Sequence, residues 1–147
     1  MGDILRVGLL VRRYSELREL DSFEERFEYL KLPGTVGHET FGFDRYLNQL
    51  FYKSSEWQRA RREVIIRDGA CDLGITDRPI TCGLLIHHMN PITQEEVLAR
   101  SDSLFNPEYL ICTCQLTHNA IHYGDRSLLP SSDLPVRTPN DTAPWRI

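Results

Sequence analysis

Long apolar runs are missing from this sequence. Hydrophobic residues make up 41% of its 147 residues, but no run approaches the roughly 20 apolar residues that a membrane-spanning helix needs. The first residues, MGDILRVGLLVRRYSEL, hold only a short apolar stretch that Arg6 interrupts, and no small-residue cleavage site follows it. We therefore expect no membrane segment and no signal peptide, and one compact domain with additional segments at its ends.

Cysteine is scarce, and positive charge is not in excess. Four cysteines in a chain of this size do not predict a disulfide scaffold, so we expect a reducing, cytoplasmic environment. The formal net charge of −4 argues against binding of nucleic acid over a broad surface. Residues 53–67, KSSEWQRARREVIIR, are positively charged in contrast to the whole chain, because five basic side chains there outnumber two acidic ones. This segment, the basic stripe, is either a solvated helix face or a surface that contacts phosphates.

Helix starts are marked by three capping-box patterns, in which Ser or Thr precedes Glu or Gln by three residues. The patterns begin at Ser22, Ser55 and Thr93. Gly69 lies where a C-cap glycine would end the second of these helices. The predicted helices run from Ser22 to about Leu32, from Asp44 to about Tyr52, from Ser55 to Arg67 and from Thr93 to about Arg100.

After Gly69 the sequence changes to short β-rich segments. CDLGI, TDRPI and TCGLLIHHM predict short strands joined by a turn that contains Pro79. YLICTC, at 109–114, predicts another strand, and residues 115–123 predict a helix that Gly124 ends. The segment from Ser127 onward has four prolines and few periodic apolar residues, so we expect an extended tail with Trp145 as an anchor.

Four of the five histidines fall into two tight pairs, and the fifth, His38, is expected in a surface loop. His87 and His88 are adjacent at the end of an apolar strand, whereas His118 and His122 lie four residues apart on a predicted helix. Imidazoles at this helical spacing share one face and form a chelating pair for a divalent metal. Each pair alone is more often coincidence, but both together within 36 residues favour a metal site with open positions for water and substrate.

Two motifs surround these histidine pairs. IHHMNP, at 86–91, has a His-His pair at a strand end followed three residues later by Pro, and NPEYLICTCQLTHNAIH, at 106–122, has a loop, a short strand and a helix with the last histidine. Residues 67–125 thereby resemble the HNH endonucleases of the ββα-metal class. Six segments are similar to small HNH endonucleases of bacteriophages. Four of them lie within this region, RDGACDLG, IHHMNPIT, NPEYLI and THNAIHYGD, and two lie outside it, FYKSSEW and PNDTAPWR.

The resemblance implies a role for each histidine. His88 corresponds to the general base, since a neutral imidazole can take a proton from the attacking water. His87 and His118 correspond to metal ligands, and His122 corresponds to an extra helix ligand of the colicin-type members. The metal would contact the scissile phosphate and stabilise the departing 3′ oxygen.

Two features depart from the family pattern. The family's middle Asn directly precedes the second strand, and Tyr109 occupies that position here. The nearest asparagine, Asn106, is either its catalytic replacement or an ordinary loop and cap residue. Many relatives also hold a structural zinc with two CxxC pairs, but each pair keeps only one cysteine here, Cys71 and Cys114. We therefore expect no structural zinc, and we expect all four cysteines to be buried apolar side chains.

These observations predict an α+β fold with an N-terminal helical region (1–53), an HNH core with the preceding basic helix (54–126) and an extended tail (127–147). The predicted activity is metal-dependent hydrolysis of DNA with Mg, Mn, Ni or Zn, and the phage resemblance implies genome processing or packaging beside a terminase in the host cytoplasm. The alternative is a non-catalytic nucleic-acid-binding module with a structural metal, which needs four protein ligands and gives His88 no role. The predicted DNA contacts are Arg59, Arg61, Arg62 and Arg67.

Overall fold

The computed structural model describes residues 11–32 and 45–130. The described residues form a mixed helix and strand structure, which is an α+β fold. Single 3-10 turns connect several of the elements. The helices and strands are α1 (Tyr14–Leu17), α2 (Phe23–Leu30), α3 (Arg45–Lys53), α4 (Ser55–Asp68), β1 (Leu85–His88), α5 (Gln94–Ala99), β2 (Leu110–Thr113) and α6 (Gln115–Tyr123).

β1 and β2 pair as a two-stranded antiparallel sheet, and α6 follows β2 directly. Leu85 pairs with Thr113 at one end of the sheet, and His88 pairs with Leu110 at the other. α6 has the predicted bounds, and Gly124 ends it in the left-handed conformation at φ +61. A side chain at this glycine would also collide with the backbone carbonyl oxygen of Leu32. The position therefore requires glycine for two independent reasons.

Two hydrophobic clusters lie on opposite sides of β2. Ile111 belongs to the first cluster, whereas Leu110 and Cys112 belong to the second, because successive side chains of a strand point to opposite faces. The first cluster joins α1 and α2 to the sheet and α6 through Leu17, Phe23, Phe27, Leu30, Met89, Ala120 and Ile121. The second cluster joins α3, α4 and α5 to the sheet through Phe51, Trp57, Ala60, Val64, Val97 and Leu104.

The capping patterns locate helix starts to within one residue. Ser22 and Thr93 accept hydrogen bonds from the backbone N–H groups of Glu25 and Glu96, as predicted. For α4 the predicted cap, Ser55, is wrong by one position, because the Ser54 side chain accepts from the Trp57 N–H and Ser55 is the first helical residue. α2 also ends at Leu30, two residues before the predicted end.

The strands predicted from CDLGI and TDRPI are wrong. Residues 72–74 form a 3-10 turn, and Cys71 and Pro79 share a single β-bridge. Leu73 and Gly74 have φ values of +53 and +71, which an extended strand does not allow. The backbone N–H of Asp72 donates to the Arg78 carbonyl at 2.8 Å, so the segment closes on itself instead of joining the sheet.

Several predictions concern the ends of the chain. Residues 126–128 form a 3-10 turn, so the start of the predicted extended tail is not extended. Trp145 and His38 lie outside the described residues. The boundaries proposed at residues 53 and 126 stay predictions. Within the described part of the chain, no helix combines the length and the apolar character needed to cross a membrane.

Candidate metal centre and its cleft

His87, His118 and His122 converge on one point, and we call them the histidine trio. β1 carries the first and α6 carries the other two, and one nitrogen of each ring lies within 4.8 Å of the others. The Nε2 atoms of His118 and His122 are 3.1 Å apart, because residues four positions apart lie one helical turn above each other. The sequence-based prediction that His87 and His118 converge is confirmed.

His87 provides the test of whether this trio fits a metal. Its side chain is 1% exposed, and neither ring nitrogen has a hydrogen-bond partner among the described residues. A buried polar group without a partner is unfavourable and uncommon in native proteins. A divalent metal would satisfy one of these nitrogens, so the residues present fit such an ion.

The protonation state of the trio also suits metal binding. Burial, followed by the neighbouring histidines His122 and His118, holds the pKa of His87 well below its ordinary value. Burial and the nearby His118 lower the pKa of His122 to about 4, and burial lowers the pKa of His118 as well. All three imidazoles are therefore neutral near pH 7, and the neutral ring is the form that donates a lone pair to a metal.

His88 is not part of the trio, and its ring packs against residues of the second cluster. Its ring stacks on Trp57, with centroids 5.1 Å apart and planes 17° apart. Its Nε2 lies 3.1 Å from the Leu104 carbonyl oxygen, which can only accept, so Nε2 carries the proton and Nδ1 keeps its lone pair. Burial lowers the pKa of His88 to about 4, so this ring is also neutral near pH 7.

The trio and His88 line one cleft of about 480 Å³. Arg61, Asn90 and Gln115 add polar groups to its lining. No carboxylate lines it among the residues that the structure describes, so Arg61 gives the cleft a positive character. Leu85 and Pro91 also line it. The rest of the lining is an apolar wall formed by residues that belong to the second cluster or pack against it: Tyr52, Trp57, Leu84, Ile86 and Ile92.

The four arginines proposed as DNA contacts have different environments. Arg61 lines the cleft, whereas Arg59 and Arg62 are exposed on α4. Arg67 differs from the other three, because the protein itself binds its guanidinium group. Its Nη1 and Nη2 donate to the carbonyls of Pro107 and Leu110 at 2.7 Å each.

The same guanidinium pairs with Asp68 at 2.8 Å and lies 3.6 Å from the centroid of the Tyr14 ring. Its N–H groups are therefore directed to Asp68, to β2 and to the turn before β2, while its face covers the Tyr14 ring of α1. This arrangement gives Arg67 a structural role, and its contact with a phosphate stays a prediction without support from its position.

Asn106 acts as a capping residue in the structure. Its Oδ1 accepts from the Glu108 N–H at 3.0 Å, at the start of the 3-10 turn Pro107–Tyr109. It is not among the described residues that line the cleft. The geometry supports the cap interpretation, and a catalytic role for Asn106 stays a prediction without support from its position.

Two lining residues acquire roles that the sequence analysis did not assign. Trp57, to which the sequence analysis gave no role, stacks on His88 and restrains the plane of its ring. Asn90 pairs with the backbone of Arg12, accepting from its N–H at 2.7 Å and donating to its carbonyl at 3.0 Å. Asn90 belongs to the IHHMNP motif, and this position in the sequence could have indicated that it has a role near the site.

The cysteines fall into different environments. Cys71 and Cys112 are buried as expected, but Cys82 is exposed and Cys114 is half-buried, so the expectation is wrong for these two. The Cys114 backbone N–H donates to the Asp72 carboxylate at 3.3 Å, and its thiol lies 3.4 Å from the same carboxylate. The Thr117 hydroxyl donates to Asp72 too. A buried carboxylate thus organises the start of α6.

No known protein family, curated protein or solved structure matches this chain. The geometry of the site therefore carries the functional argument. It consists of three neutral imidazoles at one point, a fourth imidazole with a defined tautomer, and an arginine in the same cleft.

Proposed function

We propose that the protein is a metal-dependent endonuclease of the HNH type, which hydrolyses DNA phosphodiester bonds. The observation that carries this proposal is the convergence of His87, His118 and His122 in an open cleft that also contains Arg61. Three protein ligands leave coordination positions for water and substrate, as catalytic sites do. The chain order of β1, β2 and α6, with the trio on β1 and α6, is also the order expected of a ββα-metal core.

In this proposal the trio holds one divalent metal. When bound, the metal neutralises charge on the phosphate and polarises the scissile bond. His87 fixes the ion to the sheet, and His118 and His122 fix it to one face of α6. Imidazole ligands favour Mn²⁺, Ni²⁺ or Zn²⁺ over Mg²⁺, although phosphate and water oxygens could complete a shell for Mg²⁺.

His88 is the proposed general base. Its Nε2–H donates to the Leu104 carbonyl, so Nδ1 is the atom that would accept a proton from the attacking water. Stacking on Trp57 restrains the ring, which keeps this lone pair in one direction. Arg61 would contact a non-bridging phosphate oxygen from the same cleft.

The alternative is a non-catalytic nucleic-acid-binding module with a structural metal. A structural site is normally closed by four protein ligands. Among the described residues, the group with metal-ligand geometry contains three histidines, and it lines a cleft instead of a closed core. These observations favour the nuclease.

The biological setting rests on sequence resemblance alone. The similarity to bacteriophage endonucleases supports a role in genome processing or packaging, with a terminase as partner and the host cytoplasm as location. The geometry of the cleft supports the proposed activity and is independent of this setting.

A plasmid-nicking assay tests the proposed function. Purified protein is incubated with supercoiled DNA and Mg²⁺, Mn²⁺, Ni²⁺ or Zn²⁺ in turn, with EDTA and the His118→Ala variant as matched controls. We expect conversion to nicked or linear DNA with at least one metal, and none in either control. Protein that binds DNA but cuts none of it with any metal would favour the non-catalytic module.

A further inference from the structure

We infer that the cleft takes one unpaired nucleotide, so the protein acts on single-stranded or locally melted DNA in preference to an intact duplex. The inference rests on the proposed function, because it names the form of DNA that this nuclease would accept. Three independent observations support it: the burial of His87, the apolar wall of the cleft and the formal charge of the chain.

The burial of His87 restricts how a phosphate can reach the trio. His87 is 1% exposed and lines the cleft, so a phosphate that approaches its ring must enter the cleft. Duplex DNA is a stiff rod with a persistence length of about 150 base pairs. A flexible single strand can follow the walls of a cleft, whereas a duplex must first be deformed.

The apolar wall suits a base that has left its stack. Tyr52, Ile86 and Ile92 line the cleft beside the trio. The volume of about 480 Å³ falls within the roughly 300–1,000 Å³ typical of pockets for one small organic ligand, the size class of a single nucleotide. In a duplex the base faces are already stacked, so an apolar wall offers them nothing, whereas an unstacked base gains by burying its face.

The charge distribution argues against a long duplex interface. The formal net charge is −4, and Arg67, one of the side chains of the basic stripe, is engaged by the protein's own carbonyls. Stable non-specific binding to duplex DNA depends on neutralising many phosphates at once. Arg61, the cationic side chain in the cleft, fits contact with one or two phosphates of a single strand.

Binding and cleavage of matched oligonucleotides test this inference. The same labelled sequence is prepared as a single strand, a full duplex and a duplex with a central bubble, and affinity is measured by fluorescence anisotropy in EDTA. We expect the single strand and the bubble to bind about tenfold or more tightly than the duplex. Cleavage of the three substrates is then compared with the most active metal, and we expect the same order.

Ile92→Ala tests the apolar wall, with Ile66→Ala as its control because Ile66 is 79% exposed and does not line the cleft. Ile92→Ala should weaken single-strand binding by about fivefold and leave duplex binding unchanged, whereas Ile66→Ala should change neither. A thermal melt checks that both variants fold.

The outcomes separate the two proposals. Equal or tighter binding of the duplex would overturn this inference while leaving the nuclease proposal intact. Tight binding of the single strand without cleavage by any metal would support the unpaired nucleotide and overturn the nuclease.

Discussion

The Nε2 atoms of His118 and His122 lie 3.1 Å apart on one face of α6, and one nitrogen of His87 lies within 4.8 Å of a ring nitrogen of each. Such spacing would be unfavourable for charged imidazolium groups, and burial keeps all three pKa values low. Close spacing and burial therefore keep the three imidazoles neutral, and neutral imidazoles are the form that binds a metal.

Removing one ligand should remove metal binding. We expect His118→Ala or His122→Ala to lower the affinity for Mn²⁺ or Zn²⁺ by more than the 10–100-fold that is typical of losing an outer-shell partner. Isothermal titration calorimetry measures this affinity. Tyr123→Ala is the matched control, because Tyr123 is the next residue on α6 and is 64% exposed. Unchanged affinity in the histidine variants would exclude the trio as the site.

His88→Ala should separate catalysis from metal binding. Loss of a general base typically lowers the rate by about 10²–10⁴-fold, while the trio remains complete. Single-turnover cleavage measures the rate, and calorimetry on the same sample measures metal affinity. Cleavage at the parent rate would show that the assigned base is wrong, and parallel loss of metal binding would indicate that His88 acts through the fold.

Chelation should remove activity and leave the fold intact. The two hydrophobic clusters contain the buried apolar residues that hold the helices on the sheet, and the trio, which lines the cleft, belongs to neither of them. We expect EDTA to abolish cleavage with little change in the far-ultraviolet circular dichroism spectrum. A large loss of helical signal would show instead that a metal is required for folding.

Arg61 and Arg67 should differ although both lie on the basic stripe. Arg61→Ala should weaken DNA binding, lower its logarithmic salt dependence by about one unit, and change stability by less than about 0.5 kcal/mol. Arg67→Ala should lower the free energy of unfolding by about 3 kcal/mol or more, because it leaves the buried Asp68 carboxylate without its ion pair.

Salt-dependent anisotropy and urea unfolding measure these two effects. Arg59→Ala is the control for both, since Arg59 is exposed on the same helix and does not line the cleft. Identical behaviour of the Arg61 and Arg59 variants in DNA binding would mean that the basic stripe is only a solvated helix face.

Asp72 should be important for stability. Its carboxylate accepts from the Thr117 hydroxyl and the Cys114 N–H, so Asp72→Ala leaves buried donors without an acceptor. We expect a loss of about 2–3 kcal/mol in the free energy of unfolding, measured with urea. Asp77→Ala, at an exposed position in the same loop, should change it little. Equal effects of the two substitutions would contradict the role of Asp72.

Local patterns predicted most of the helices. The caps at Ser22 and Thr93 and the bounds of α6 follow from residues within one helical turn, so neighbouring sequence contains the necessary information. The strands expected around residues 71–80 fail because β propensity does not report positive φ values or a pairing partner. α1, with four residues, has too short a pattern to detect, and its Ser15 donates hydrogen bonds to the distant Glu108.

The sequence by itself determined the helical face that carries His118 and His122, since this face depends only on their spacing along α6. It also identified the adjacent pair in β1 as chemically important. Only the tertiary structure decided that His87 turns toward that face while His88 turns to Trp57, because strand pairing sets which side each residue faces. Packing likewise decided that Arg61 lines the cleft while Arg67 is bound by the protein itself. The carbonyls that accept from Arg67 lie about 40 residues away in the chain.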